Sequence, residues 1–96
     1  MAAVVVSRTA RDDLERLIRT HSLPGSTRER VRRSIEPLAD FPTLGTQLEG
    51  RWSSFRFILG TWRWMIILYE YGGEADRVVV ITIQDGRSSA APTSPI

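Results

Sequence analysis

The sequence contains no cysteine, no lysine and only one histidine in 96 residues. Without thiols, disulfide scaffolds, thiolate zinc sites and cysteine nucleophiles are excluded together, and a single imidazole cannot build a histidine metal cluster. No apolar run is long enough to cross a bilayer as a helix. The stretch around Val4, Val5 and Val6 is too short, and lacks the basic residues ahead of it, to act as a secretory signal. The expectation is a cytoplasmic protein, off the membrane, with no metal and no cofactor. Length sets a further limit, since two cores in so short a chain would each fall below the size that folds unaided. At 42% hydrophobic and 25% charged residues, the composition is that of one ordinary globular domain.

All 13 basic residues are therefore arginine, against 11 acids, for a formal charge of +2. Codon bias in a GC-rich genome is the bland explanation for the missing lysine. Guanidinium groups keep their charge at any cellular pH, which suits acidic partners such as nucleic acid. Eight arginines precede residue 40, interleaved with acids; Arg51, Arg56, Arg63, Arg77 and Arg87 are spread over the second half.

Hydrophobic patterning divides the chain into an α part and a β part. Val4 to Ser7 is a β-branched run that reads as a short strand. Thr9, three residues ahead of Asp12, resembles a capping box, and Ala10, Leu14, Leu17, Ile18 and His21 then recur at helical spacing. Leu23-Pro24-Gly25 stops this helix, and Ser26 with Glu29 starts a second one with Val31, Ile35 and Leu38 inward. Pro37 removes a backbone hydrogen bond there, so a kink or an early end is expected. The short link makes the helices an antiparallel hairpin. From Arg51 onward aromatic and β-branched residues dominate, with strands expected at Ser54 to Leu59, Trp62 to Tyr71 and Arg77 to Gln84. Turns fall at Gly60 and Gly72-Gly73. The fold class is α+β: a short N-terminal strand, a two-helix antiparallel hairpin, then a three-stranded antiparallel meander whose sheet packs on the helices. Residues 1–87 form the domain; residues 88–96, with two prolines and no apolar period, read as a disordered tail.

Several stretches in this order carry a family resemblance. Ala10 to Leu14 opens the first helix, Leu38 to Pro42 closes the second, and Leu48-Glu49-Gly50 precedes the meander. Trp62-Arg63-Trp64-Met65-Ile66-Ile67-Leu68-Tyr69 fills its middle and Ile83-Gln84-Asp85-Gly86-Arg87 its end. Over about Val4 to Arg87 the chain resembles the RelE/ParE superfamily of type II toxins. The resemblance implies a bacterial toxin held inactive by a cognate antitoxin. It further implies action either as a metal-free, ribosome-dependent mRNA endonuclease or as a DNA gyrase poison.

Messenger RNA cleavage by attack of a ribose 2′-hydroxyl requires cations on the phosphate oxygens, a proton acceptor and a proton donor. By resemblance Arg63 takes the family's central-strand arginine position, Arg56 a basic position on the preceding strand, and Arg87 the position just past the last strand. Together they would clamp the phosphate as catalytic residues. If the turn at Gly60 pairs Leu59 with Trp62, Arg56 lies opposite Met65 and shares a face with Arg63. Arg51, Trp52 and Glu49 are candidate RNA contacts, Trp52 by stacking on a base, and Glu49 because by resemblance it stands where some relatives place an acidic residue near the cleft, a position from which it could act as base. Tyr69 and Tyr71 read as sheet-packing aromatics, and His21 as a half-buried core residue. Two features depart from the endonuclease pattern: Ser54 replaces a second basic residue, and residues 88–96 carry neither tyrosine nor histidine, leaving the proton acceptor unassigned. The favoured expectation is the endonuclease, with the ribosome and mRNA as partners beside the antitoxin. The alternatives are a non-enzymatic gyrase poison and an inactive antitoxin-binding relative.

Overall fold

The structure, a computed structural model, describes residues 1–87. The expectation for residues 88–96 lies outside them. The chain begins with strand β1 (Ala3–Val6), helix α1 (Arg8–Thr20) and helix α2 (Thr27–Ile35), which runs into a 3-10 turn at Glu36–Ala39. Strands β2 (Thr46–Gln47), β3 (Phe55–Leu59), β4 (Met65–Gly72) and β5 (Arg77–Asp85) follow, with a second 3-10 turn at Gly50–Trp52 between β2 and β3. Pro37 ends the α2 pattern as its chemistry requires, standing in the first turn of the 3-10 segment.

The meander β3-β4-β5 is extended on both edges, giving the order β1-β5-β4-β3-β2. Strand β1 lies parallel to β5, with Val4 opposite Val78 and Val6 opposite Val80. The sheet is therefore mixed and five-stranded, where the sequence suggested three antiparallel strands and an unplaced N-terminal one. Thr46 and Gln47 have too little apolar pattern to announce a strand; pairing with Phe57 and Arg56 makes them one.

Ser7 ends β1 and starts α1. Its hydroxyl donates to the Ile81 carbonyl at 2.9 Å and accepts from the Ala10 amide at 3.0 Å, so Ser7 is the N-cap in place of the capping pair read at Thr9 and Asp12. Beyond β1 that edge of β5 would be left open. Asp13, reaching down from α1, accepts from the Ile83 amide at 3.1 Å and is 8% exposed. A helix carboxylate thus stands in for the missing strand. Ala10, Leu17, Val31, Ile35 and Leu38 from the helical side meet Met65, Ile67, Tyr69, Val78, Val80 and Ile83 from the sheet in one core.

The turn between β3 and β4 is longer than a two-residue hairpin. The Gly60 amide donates to the Met65 carbonyl and the Met65 amide to the Trp62 carbonyl, both at 2.9 Å. Trp62, Arg63 and Trp64 consequently belong to the turn, and β4 begins only at Met65. This lengthening resets the register: Leu59 lies opposite Ile66 and Arg56 opposite Tyr69, not Met65.

Candidate functional site

Arg56 and Tyr69 face each other across β3 and β4 on the helix side of the sheet, under the loop that leads into β2. The Arg56 guanidinium donates to the Gly45 carbonyl at 2.9 Å and, more weakly, to that of Thr43 at 3.4 Å. The buried Tyr69 hydroxyl donates to the Pro42 carbonyl at 2.8 Å and accepts from the Gly45 amide at 2.9 Å. Burial pushes the Tyr69 phenol above its ordinary range, with the Gly45 amide and Arg56 pulling the other way. Tyr69 is a neutral clasp on the loop, in line with its reading as a packing residue. Gly45 is required there, because a Cβ would stand 2.6 Å from the Phe57 carbonyl oxygen and 2.7 Å from the Tyr69 hydroxyl.

A different cluster holds the start of β4. Arg87 grips Asp85 with two guanidinium hydrogen bonds of 2.9 and 2.8 Å, and its own amide donates to the same carboxylate at 2.9 Å. His21 Nε2 lies 3.1 Å from Asp85 Oδ2, the oxygen that also accepts one of the Arg87 guanidinium bonds, and its Nδ1 lies 2.9 Å from the Thr20 hydroxyl. The Arg87 hydrogen bonds, with His21 adding to them, hold the Asp85 carboxyl far below the usual carboxylate range despite its partial burial. The His21 ring stacks on Trp64 at 4.8 Å, Trp64 stacks on Trp62 at 6.1 Å, and the Arg87 guanidinium lies 5.0 Å from the Trp64 ring centre. This latch ties the C-terminus of α1 to the end of β5 and to the turn before β4. Sequence reading missed it, since His21 and Asp85 are 64 positions apart and nothing local announces the pair.

The three arginines expected to share one anion site are therefore not brought together. Arg56 stands opposite Tyr69, four residues along β4 from Met65, the partner of Asp85; at about 3.3 Å per residue the two levels are about 13 Å apart. Arg56 is engaged by carbonyls and Arg87 by a carboxylate. Arg63 is exposed at the tip of the turn and forms no ion pair among the described residues. The expected shared face of Arg56 and Arg63 fails because the turn is longer than the two-residue link assumed.

Glu49, Arg51 and Trp52 lie in the connection from β2 to β3, at the end of β3 away from Arg63. Glu49 precedes the short 3-10 turn, and the Arg51 guanidinium rests 5.3 Å from the centre of the Trp52 ring. Trp52 also meets Phe55 at 6.1 Å. The candidate RNA contacts and the candidate catalytic residues Arg63 and Arg87 thus occupy opposite ends of the sheet.

Two surfaces remain. An apolar groove of about 420 Å³ runs between β1 and the helices, floored by Val4, Val6, Leu14 and Val31 and edged by Arg11 and Arg28. The second is the sheet face turned away from the helices, where strand alternation places Phe55, Phe57, Leu59, Ile66 and Leu68. Among the described residues no three side chains are arranged to hold a metal ion, and no helix is long and apolar enough to cross a membrane.

Comparison with known proteins bears on this geometry. Residues 4–89 match the model of the ParE toxin family, the ParE toxin of the type II toxin–antitoxin system parDE. Among solved structures, the chain is similar to the RelBE2 toxin–antitoxin complex of Mycobacterium tuberculosis, with a TM-score of 0.67 and 22% identity, covering 88% of this chain and 96% of that one. It is similar to a YoeB/ParE toxin from Agrobacterium tumefaciens, with a TM-score of 0.66 and 20% identity over 86% and 96%. A conserved hypothetical protein of Helicobacter pylori gives a TM-score of 0.65 and 16% identity over 88% and 94%. At these identities the likeness is one of fold, and it agrees with the α+β architecture described above. No curated protein matches the sequence.

Proposed function

This chain belongs to the ParE toxin family of type II toxin–antitoxin systems, and from there we propose that it acts by binding a protein target, DNA gyrase, without cutting messenger RNA. The observation that carries this reading is the dispersal of the cations. A phosphate clamp needs guanidinium groups that converge and are free to turn to the ligand. Here Arg56 serves the Pro42–Gly45 loop and Arg87 serves Asp85. The only histidine uses both ring nitrogens, one on Thr20 and one on Asp85. The missing proton acceptor and the absence of tyrosine and histidine from residues 88–96, awkward for a nuclease, are expected of a binding toxin.

The cognate antitoxin is proposed to fill the apolar groove beside β1, with an acidic side chain toward Arg11, since Glu15 already holds Arg28. Among the described residues no strand pairs with the outer edge of β1, whose backbone groups an extended antitoxin segment would complete.

The test runs two assays on the purified protein, gyrase supercoiling and cleavage of messages on programmed ribosomes, the latter read by primer extension. Inhibited supercoiling with intact message is the expected result. Cuts within the A-site codon, with gyrase unaffected, would return the nuclease.

A further inference from the structure

Strand pairing assigns every residue of the meander to one side of the sheet or the other. Met65, Ile67 and Tyr69 point into the core with the helices. The intervening Ile66 and Leu68, with their partners Leu59 and Phe57 on β3 and Gln84 and Thr82 on β5, point to the other side. These two cross-strand rows contain no charged residue. The first charge on the face is Glu70, one row further on, opposite Phe55. Ile66 and Leu68 are buried at the centre of the strip, Phe55 and Phe57 are half-buried, and Leu59 is 47% exposed at its end.

Arg63 stands where this strip meets the turn. The turn is fixed from behind: the Gly86 amide donates to the Trp64 carbonyl at 2.6 Å, and both flanking tryptophans are held in the stack that ends on His21. Its backbone is thus anchored while its guanidinium is exposed and without an ion pair among the described residues. An apolar patch with one preorganised arginine at its margin has the composition of a protein-binding hot spot. A polynucleotide would demand several cations following its phosphates, and the strip has one.

We propose that the exposed end of this sheet face, Leu59 with half-buried Phe57 beside Arg63, is the surface that seats the toxin's protein target, through an apolar ridge that carries a carboxylate. The proposal rests on the reading that the toxin docks to gyrase, and adds the face and the chemistry of the contact. The Arg63 fork would take the carboxylate in a bidentate pair, and Leu59 would pack beside it.

The experiment measures supercoiling by purified gyrase against rising concentrations of the full chain, Leu59→Asp and Arg63→Glu, with Arg30→Glu on an outer face of α2 as a charge control. Circular dichroism and sedimentation accompany each protein. The two face variants are expected to raise the half-inhibiting concentration about tenfold or more, the scale of a hot-spot residue, with Arg30→Glu unchanged. Arg63→Glu, on an exposed turn, carries the test should Leu59→Asp fail to fold. Wild-type inhibition matched by both folded variants would overturn the docking face and leave the gyrase reading standing. A dimer that Leu59→Asp splits into monomers would overturn it by seating a second copy there. Intact supercoiling with the wild-type chain would instead remove the gyrase reading itself.

Discussion

The middle of β4 and the turn that leads into it each have an arginine beside an aromatic ring, yet the two pairs hold the fold by different means. At the β2 side, Arg56 and Tyr69 bind the main chain of residues 42–45, and their partners are neutral carbonyls and an amide. At the turn, Arg87 is neutralised by Asp85 and lies over Trp64, with His21 completing the cluster. The first arrangement depends on burial and shape; the second depends on ionisation. Both leave the arginine committed to its own chain, which is why the count of arginines says so little about which of them can meet a ligand.

The largest effect should come at the buried clasp. Gly45→Ala forces a methyl against the Phe57 carbonyl and the Tyr69 hydroxyl and is expected to cost about 3 kcal/mol, the upper range for overpacking, measured by urea unfolding. Tyr69→Phe, which strips the Gly45 amide of its buried acceptor, should cost about 2 kcal/mol in the same measurement. If either is neutral, the loop is not held as described.

The latch should respond to pH where the clasp does not. Because the folded state holds Asp85 below its unfolded pKa, the unfolded chain binds the proton more tightly in acid. The stabilisation is therefore complete above the unfolded value of about 4 and lost as pH falls toward the folded one. Thermal melts of wild type and Asp85→Asn should differ at pH 7 and converge in acid, whereas the Tyr69→Phe difference should persist. Smallest of all, Arg63→Ala should leave the melting temperature unchanged, since Arg63 has no ion pair among the described residues to lose.

Much of this was legible beforehand. Helix α1 with its Ala10, Leu14, Leu17 stripe, the ending at Pro37, and the three meander strands follow from periodicity and turn chemistry, because those signals are local. The parallel pairing of β1 with β5 was not legible, since a Val-Val-Val run fits either edge of a sheet. The site was read least well. Counting from a two-residue turn at Gly60 puts Arg56 opposite Met65, whereas the six residues Gly60 to Met65 between the paired Leu59 and Ile66 carry it to Tyr69. An error of that size in a turn decides whether two cations converge. The latch of His21 with Asp85 depends on tertiary contact alone.

The most direct measurement compares Arg56→Ala, Arg63→Ala and Arg87→Ala for both melting temperature and gyrase inhibition. The expected result is that the first and third lower the melting temperature and lose inhibition only as far as they unfold, while Arg63→Ala melts like wild type and inhibits poorly. Wild-type cleavage of ribosome-bound message, abolished in all three variants with their melting temperatures unchanged, would contradict it.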